Sequence, residues 1–297
     1  MSDIDLATLV RRAAHRMEAA DLYFGHGTDN ALDEACWMAA HVFGLAPDFP
    51  PETFEQPVAS ADQARFEALL VERIETRKPL AYLIGEAWFA GLSFKVTEDV
   101  LVPRSPLAEL IVEGFEPWLA SAQLKRAIDV GTGSGCIAIA LAHYFPQVTV
   151  DAVDVSPAAL ALAEANICRH GLAERVRVRQ SDLLAALLDQ RYDLILANPP
   201  YVPESSLPAL PAEYQWEPRL GLVAGADGLD LVRRLMIQAA EVLQPHGILV
   251  CEVGEAAAAL DRWLSDHSVT WLDFAHGGDG VFLIDQAGCE RIARQSV

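Results

Sequence analysis

From Arg126 onward the chain alternates short apolar runs with helix-patterned stretches, and that alternation leaves few folds open. Apolar runs fall at 127–130, 148–153, 176–178, 193–197, 247–253, 269–274 and 280–284. Between the first five lie stretches with helical spacing near 136–144, 157–170, 183–188 and 229–243, and a shorter one starts at Glu255. Strands separated by helical crossovers pair in parallel and are covered on both faces. The expectation is therefore an α/β fold on a seven-stranded, mostly parallel sheet. The last two runs are joined only through Ala275-His276-Gly277-Gly278. A parallel connection needs a long crossover, so the final strand is expected to be antiparallel to its predecessor.

The residues ahead of Arg126 read differently. Ile4, Leu6, Leu9, Val10, Ala13, Ala14 and Met17 have the spacing of an amphipathic helix. A break at Tyr23-Phe24-Gly25-His26-Gly27 follows, and Thr28, Asp29 and Asn30 offer caps for a second helix through Ala35, Met38 and Val42. Ser60 with Gln63 reads as a capping box for a third helix running to about Lys78. Short β-like runs at Trp88-Phe89 and 92–96, separated by Ala90-Gly91, predict a β-hairpin. The organisation is thus a small helical domain over 1–79, a β-hairpin linker over 80–104, and the α/β domain over 105–297. His26 is read as part of a tight interhelical turn, its imidazole capping backbone groups. No second His, Cys or Asp stands at a spacing that would make it a catalytic base.

Composition narrows the function. The 297 residues carry 22 Lys and Arg against 42 Asp and Glu, a net charge of −20. That balance argues against a nucleic-acid backbone as partner and suits a basic protein. Cys36, Cys136, Cys168, Cys251 and Cys289 are scattered, odd in number and never in a C-x-x-C pair, as expected of reduced thiols. Asp3, Asp5, Arg11 and Arg12 leave no apolar leader segment, and no uncharged run approaches the ~18 residues of a membrane span. A cytoplasmic protein with no membrane partner and no metal site is expected.

The chemistry gathers at strand ends. The first apolar run leads into Asp129-Val130-Gly131-Thr132-Gly133-Ser134-Gly135-Cys136, where alternating glycines let backbone pass close beneath a ligand. Cys136 stands where a dinucleotide fingerprint wants its third glycine, which counts against a nicotinamide enzyme. Asp154 closes the second strand, where an acid reaches ribose hydroxyls. Asp182 closes the third, beside Leu183, and is placed to meet an exocyclic amine. A glycine loop alone can be only a tight turn, and each acid alone a helix cap; together at successive strand ends they point to a nucleoside site. After the fourth strand comes Asn198-Pro199-Pro200-Tyr201. Two prolines stiffen this loop and expose bare carbonyls, Asn198 adds an amide and Tyr201 a flat ring. The set suits a planar group bearing NH2, either a carboxamide or an amino-base. Arg104, in Pro103-Arg104-Ser105-Pro106, either faces a ligand or forms a structural salt bridge, with Ser105 as cap of the helix through Leu107, Leu110, Ile111 and Phe115. The connection of 202–226, with Glu213 and Glu217, is long enough to shape a binding surface. Its acids are open to a basic partner or simply solvated.

The motif Asp129-x-Gly131-x-Gly133-x-Gly135, with Asp154 and Asn198-Pro-Pro-Tyr201, resembles the class I S-adenosylmethionine methyltransferases, whose domain is Rossmann-like. With the helical N-terminal region, the hairpin and Leu101-Val102-Pro103-Arg104, nearly the whole chain resembles the protein-glutamine N5-methyltransferases. One branch of that family acts on class 1 peptide release factors and usually reads Pro-Arg-Pro-Asp-Thr-Glu after the hairpin; this chain reads Pro103-Arg104-Ser105-Pro106-Leu107-Ala108-Glu109. Tyr23–Asn30, Ala87-Trp88-Phe89 and Gly277-Gly278-Asp279-Gly280-Val281-Phe282 resemble the branch acting on large-subunit ribosomal protein three.

The resemblance implies S-adenosyl-L-methionine as cofactor, S-adenosyl-L-homocysteine as product and a glutamine side-chain amide as acceptor. It implies that Asp129, Gly131, Thr132, Gly133, Gly135, Asp154, Asp182, Leu183 and Asn198 line the cofactor site. Asn198, Pro199 and Tyr201 would be catalytic, with Pro200 and Arg104 joining them on the substrate side, and residues 1–79 would recognise the substrate protein. Two other readings are open: an adenine-N6 methyltransferase, disfavoured by charge, and a non-catalytic cofactor-binding assembly protein.

Overall fold

The computed structural model describes residues 4–265 and 267–295; Asp3, one of the charges counted against a leader, lies outside them. The chain divides into two units. One takes the residues up to Ala87 together with Pro211–Trp216, and the other takes Trp88–Leu210 with the residues from Glu217 onward.

The first unit is built on α1 (Leu6–Ala19), α2 (Ala31–Phe43), α3 (Ser60–Thr76) and the short α4 (Leu80–Ile84). The Asp5 carboxylate caps α1 by accepting from the Thr8 amide at 2.7 Å, and Asn30 caps α2 by accepting from Asp33 at 2.9 Å. Each satisfies an amide that the first helical turn leaves without a partner. The expected Ser60–Gln63 capping box does not form. The Ala59 carbonyl already accepts from both Asp62 and Gln63, so Ser60 is the first helical residue and Ala59 the cap. Met17, Met38, Phe66, Leu70 and Leu80 make the core of this unit. The His26 ring is buried against the rings of Tyr214 and Tyr23, at centroid distances of 4.8 and 5.9 Å.

The second unit begins within the hairpin of β1 (Glu86–Phe89) and β2 (Leu92–Lys95), the boundary between units falling inside β1. After α5 (Leu107–Glu113) come β3 (Arg126–Val130), α6 (Cys136–Tyr144), β4 (Thr149–Asp154), α7 (Pro157–Arg169), β5 (Val176–Gln180) and β6 (Tyr192–Ala197). Then follow α8 (Asp230–Val242), β7 (Leu243–Glu252), α9 (Ala257–Leu264), β8 (Thr270–Leu272), β9 (Val281–Asp285) and α10 (Gln286–Gln295). The sheet order is β5-β4-β3-β6-β7-β9-β8, parallel through the first five positions, with β9 antiparallel to both of its neighbours. Residues alternate between two cores: Ala127, Leu194, Leu196 and Val250 on one face, Ile128, Val130, Ile195 and Leu249 on the other. That double burial is why the strands read as unbroken apolar runs.

Further expectations change. Residues 183–188 form only a 3-10 turn over Ala185–Leu187, because Leu183 sits at φ +53 and starts no helix. The unpredicted α10 packs through Gly288, Cys289 and Ile292. A Cβ at Gly288 would lie 2.5 Å from the Ile284 side chain, so the helix approaches its strand too closely for any larger residue.

The first crossovers step from β3 outward to β4 and β5, and the next returns to β6 on the other side of β3. Such a reversal opens a crevice at the carboxyl ends of the two central strands. In register Val130 pairs with Ala197, so the loops leaving β3 and β6 emerge side by side.

Candidate active site

The loop leaving β3 is tied down before any ligand is considered. The Gly131 and Thr132 amides both donate to the Val153 carbonyl at 2.9 Å. Gly131, Gly133 and Gly135 adopt φ of +77, +54 and +83, a region costly for side chains with a Cβ. Their surroundings differ. A Cβ at Gly135 would press at 3.2 Å on Ala163 of α7, so this glycine lets α6 and α7 close up; at Gly131 and Gly133 the nearest atoms are 4.0 and 3.9 Å away. Those two keep backbone open towards the crevice.

Asp129 is fully buried at the foot of this loop. Its Oδ2 accepts from Thr132 Oγ1 at 2.5 Å and from the Ala138 amide at 3.2 Å, capping the first turn of α6. Oδ1 is buried without a hydrogen-bond partner among the described residues. Burial pushes the carboxyl up to about 7, against the pull of its two donors. Asp154, at the end of β4, accepts from the Gly133 amide at 3.0 Å and from Ser156 at 2.9 Å. It is only half-buried, so it joins the glycine loop to the mouth of the crevice.

Asp182 stands at the adjoining strand end, but its carboxylate is engaged by Arg234 at 2.6 Å and points into solvent. The backbone at Leu183, buried and at positive φ, is the part of this turn that stays inside.

Across the crevice, Asn198 donates from Nδ2 to the Arg104 carbonyl at 3.4 Å, at the outer edge of hydrogen-bonding range. This contact uses a donor of the amide and leaves its acceptor end to other partners. The Arg104 guanidinium itself is gripped by Glu217 at 2.5 and 2.6 Å, and Glu217 also accepts from the Val102 amide. Of the two readings of Arg104, the salt bridge is the one present, and its carbonyl is what meets Asn198. Tyr201 donates to Glu252 at 3.0 Å, and Ser105 donates to the other oxygen of the same carboxylate at 2.6 Å. Two glycines accommodate Tyr201: a Cβ at Gly254 would lie 2.7 Å from its ring, and one at Gly228 would lie 2.1 Å from its carbonyl.

Of the acids in the 202–226 connection, Glu204 is exposed and pairs with Arg219 at the surface, whereas Glu213 and Glu217 are neither solvated nor presented outward. Glu217 is buried with Arg104, and Glu213 is buried inside the helical unit with Arg73 and Arg77. The connection itself is a series of 3-10 turns over Glu204–Ala209, Ala212–Trp216 and Arg219–Gly221. Glu252, Gly228 and Gly254 were not singled out from the sequence, because each acts on a residue far away in the chain and none sits in a local motif. Among the described residues no group of three or more His, Cys, Asp or Glu side chains converges to hold a metal ion.

Two family models match the chain: the Methyltransferase small domain over residues 109–209 and the PrmC N-terminal domain over residues 8–85. A protein of Xanthomonas campestris pv. campestris described as ribosomal protein uL3 glutamine methyltransferase is 48% identical over 93% of this chain and 90% of its own length. Proteins of the same description from Xylella fastidiosa and Bordetella pertussis are 46% and 44% identical, each over 94% of this chain, covering 89% and 94% of their own lengths. Among solved structures, the hMettl16 catalytic domain in complex with MAT2A 3'UTR hairpin 6 matches at a TM-score of 0.53 and 18% identity, over 82% of this chain and 90% of that one. At that identity the likeness speaks for the methyltransferase fold alone.

Proposed function

We propose that this chain, which belongs to the ribosomal protein uL3 glutamine methyltransferases, moves a methyl group from S-adenosyl-L-methionine to the side-chain nitrogen N5 of a uL3 glutamine. The observation that carries the reading is the pairing of Val130 with Ala197, which sets the glycine loop beside the Asn198 loop at the reversal of the sheet. One loop suits a nucleoside-bearing cofactor and the other a carboxamide, and they leave neighbouring strand ends.

The donor set fits that cofactor. Open backbone at Gly131 and Gly133, the half-buried Asp154 carboxylate and the unpartnered Oδ1 of Asp129 offer acceptors and space for hydroxyl and amino groups. We assign the ribose hydroxyls to Asp154, and the methionyl part to the loop of Asp129, Gly131, Thr132, Gly133 and Gly135. The adenine edge falls to the backbone of the Asp182-Leu183 turn, since Arg234 already occupies the Asp182 side chain. Bound there, the cofactor supplies a methyl group on a positively charged sulfur, which departs neutral.

An amide nitrogen is a weak nucleophile because its lone pair is delocalised into the carbonyl. Holding it in line with an activated methyl supplies most of the rate. The Asn198 side-chain oxygen and the Pro199 carbonyl accept the two N–H bonds of the glutamine, localising the lone pair and stabilising the charge that grows on nitrogen. Tyr201 and Pro200 pack against the flat amide, while Arg104 contributes through its carbonyl contact with Asn198. The proton displaced from nitrogen leaves to solvent, so no general base is assigned. The helical unit takes recognition of the substrate protein, and a charge of −20 suits a basic ribosomal protein with no nucleic acid needed. Five cysteines outside any disulfide suit the cytoplasm.

The test is methyl transfer from labelled cofactor to purified uL3, a class 1 release factor and duplex DNA, with mass mapping of the product. Methylglutamine in uL3 above the other two is expected; label confined to the release factor or to DNA overturns the substrate assignment.

A further inference from the structure

Glu252 is the last residue of β7, paired in register with the apolar Val281, so strand pairing does not call for an acid there. Its carboxylate is nonetheless buried, which costs free energy and pushes its pKa upward. What it receives in return is two hydroxyl donors, Tyr201 Oη at 3.0 Å on one oxygen and Ser105 Oγ at 2.6 Å on the other. Ser105 Oγ in turn accepts from the Leu107 amide at 3.2 Å, at the start of α5. The residue before Ser105 is Arg104, whose carbonyl accepts from Asn198. A closed circuit results: Glu252 to Tyr201, back along Pro200 and Pro199 to Asn198, across to Arg104, on to Ser105, and back to Glu252.

The structure assigns to Glu252 the positioning of the Asn198–Tyr201 loop for methyl transfer, an inference that rests on the function argued above. Two hydroxyls converging on one buried group need two acceptors, and a carboxylate is the side chain that offers one to each. Gly254 closes in on the Tyr201 ring and Gly228 on its backbone carbonyl, and the hydrogen bond to Glu252 fixes the ring from its hydroxyl end. The prolines pass that placement to Asn198, because they leave the loop little backbone freedom.

The test uses the full-length enzyme with uL3, comparing wild type with Glu252→Ala, Glu252→Gln, Tyr201→Phe and the double variant Glu252→Ala/Tyr201→Phe. Turnover is read against KM for uL3, the affinity for S-adenosyl-L-homocysteine and the melting temperature. Glu252→Ala is expected to lower kcat about 100-fold, the scale of an ångström's misplacement, with product affinity changed less than about threefold. Glu252→Gln keeps one acceptor and can donate to the other hydroxyl once it rotates, so it should recover most of that loss. The double variant should be no worse than about threefold below the poorer single one, because both break one circuit. A kcat for Glu252→Ala within threefold of wild type overturns the assignment. So does a Gln variant as impaired as Ala, or a loss that falls equally on turnover and product affinity. If Glu252→Ala does not fold, Ser105→Ala and Tyr201→Phe decide: losses of roughly tenfold in kcat at normal melting temperature support the circuit, and full activity in both overturns it. A wild-type enzyme inert on uL3 would instead fail the functional reading itself.

Discussion

The side chains closest to the proposed chemistry already have part of their hydrogen-bonding capacity committed, and what is left over defines their roles. Asn198 spends a donor on the Arg104 carbonyl. Asn198→Ala should therefore lower turnover by on the order of 100-fold while cofactor affinity barely moves, and turnover near wild type would sink the positioning model. Asp154 is the opposite case, since its carboxylate organises the glycine loop through Gly133 and is the group to which the ribose is assigned in the proposed function. Asp154→Ala should weaken S-adenosyl-L-homocysteine binding roughly tenfold or more, measured calorimetrically. Asp129 makes a prediction about pH. Its folded-state pKa of about 7 lies above the ordinary 3.8, so between those values the folded protein holds a proton that the unfolded chain gives up. Stability from this group is present below pH 4 and is lost as pH rises to about 7, by at most roughly 4 kcal/mol. Asp129→Asn keeps an acceptor for Thr132 and removes the titration. The difference in melting temperature between pH 5 and pH 8 should shift in favour of the variant at pH 8, and a parallel pH profile in both proteins counts against a buried, titrating Asp129.

At the scale of elements, what could be read in advance follows from how each element earns its stability. Tyr192–Ala197 is buried at every position, so β6 is an uninterrupted apolar run with an unmistakable end at Asn198. The glycine loop is equally local, its acid and glycines lying within seven residues of one another. α10 buries Gly288, Cys289 and Ile292, too thin an apolar stripe to register as a helix. Leu183, Leu184 and Leu187 carry helical spacing, yet form a single turn because Leu183 takes the left-handed conformation. Glu252 is 147 residues from Ser105, and no local pattern announces such a contact. Asn166 belongs with these. Buried on α7, it accepts from the Lys95 amide at 2.9 Å and donates to the carbonyls of Lys95 at 3.0 Å and Ser134 at 2.8 Å, stitching β2 to the glycine loop. Asn166→Ala should cost about 2–4 kcal/mol in urea unfolding, since it strands buried backbone groups. Asn166→Asp should cost no less, because a carboxylate oxygen then faces two carbonyls; a stable Asp variant would show that those bonds are not made.

At the scale of the whole molecule, the chain belongs to its two units in an interleaved way. The stretch following the Asn198 loop leaves one unit at Leu210, contributes Pro211–Trp216 to the helical unit and returns at Glu217. Its hold there is Glu213, fully buried, accepting from the Tyr23 amide at 3.0 Å and ion-paired with Arg77 at 2.9 Å and Arg73 at 3.6 Å. Arg73 is itself fully buried, with Glu34 at 2.7 Å and the Tyr23 carbonyl at 3.1 Å as further partners. Trp216 adds a hydrogen bond to the Thr76 carbonyl at 3.1 Å, and the Tyr214 ring packs on His26. Two carboxylates thus balance two guanidiniums within the helical unit, and the inserted segment Pro211–Trp216 supplies one of the four charges. Removing one partner of a buried pair leaves the other charge uncompensated, at a cost of about 3–5 kcal/mol. Because Arg77 is partly exposed and Glu34 still holds Arg73, Glu213→Ala should fall at the lower end of that range. Glu213→Gln retains acceptance from Tyr23 and should lose less. Urea unfolding followed by a fluorophore attached in the helical unit, together with a probe in the sheet, measures both. The expected outcome is an early transition at the helical-unit probe in the Ala variant. Loss of less than about 1 kcal/mol would mean that Arg73 finds its compensation from Glu34 alone, and that the inserted segment is held by Tyr214 and Trp216 rather than by charge.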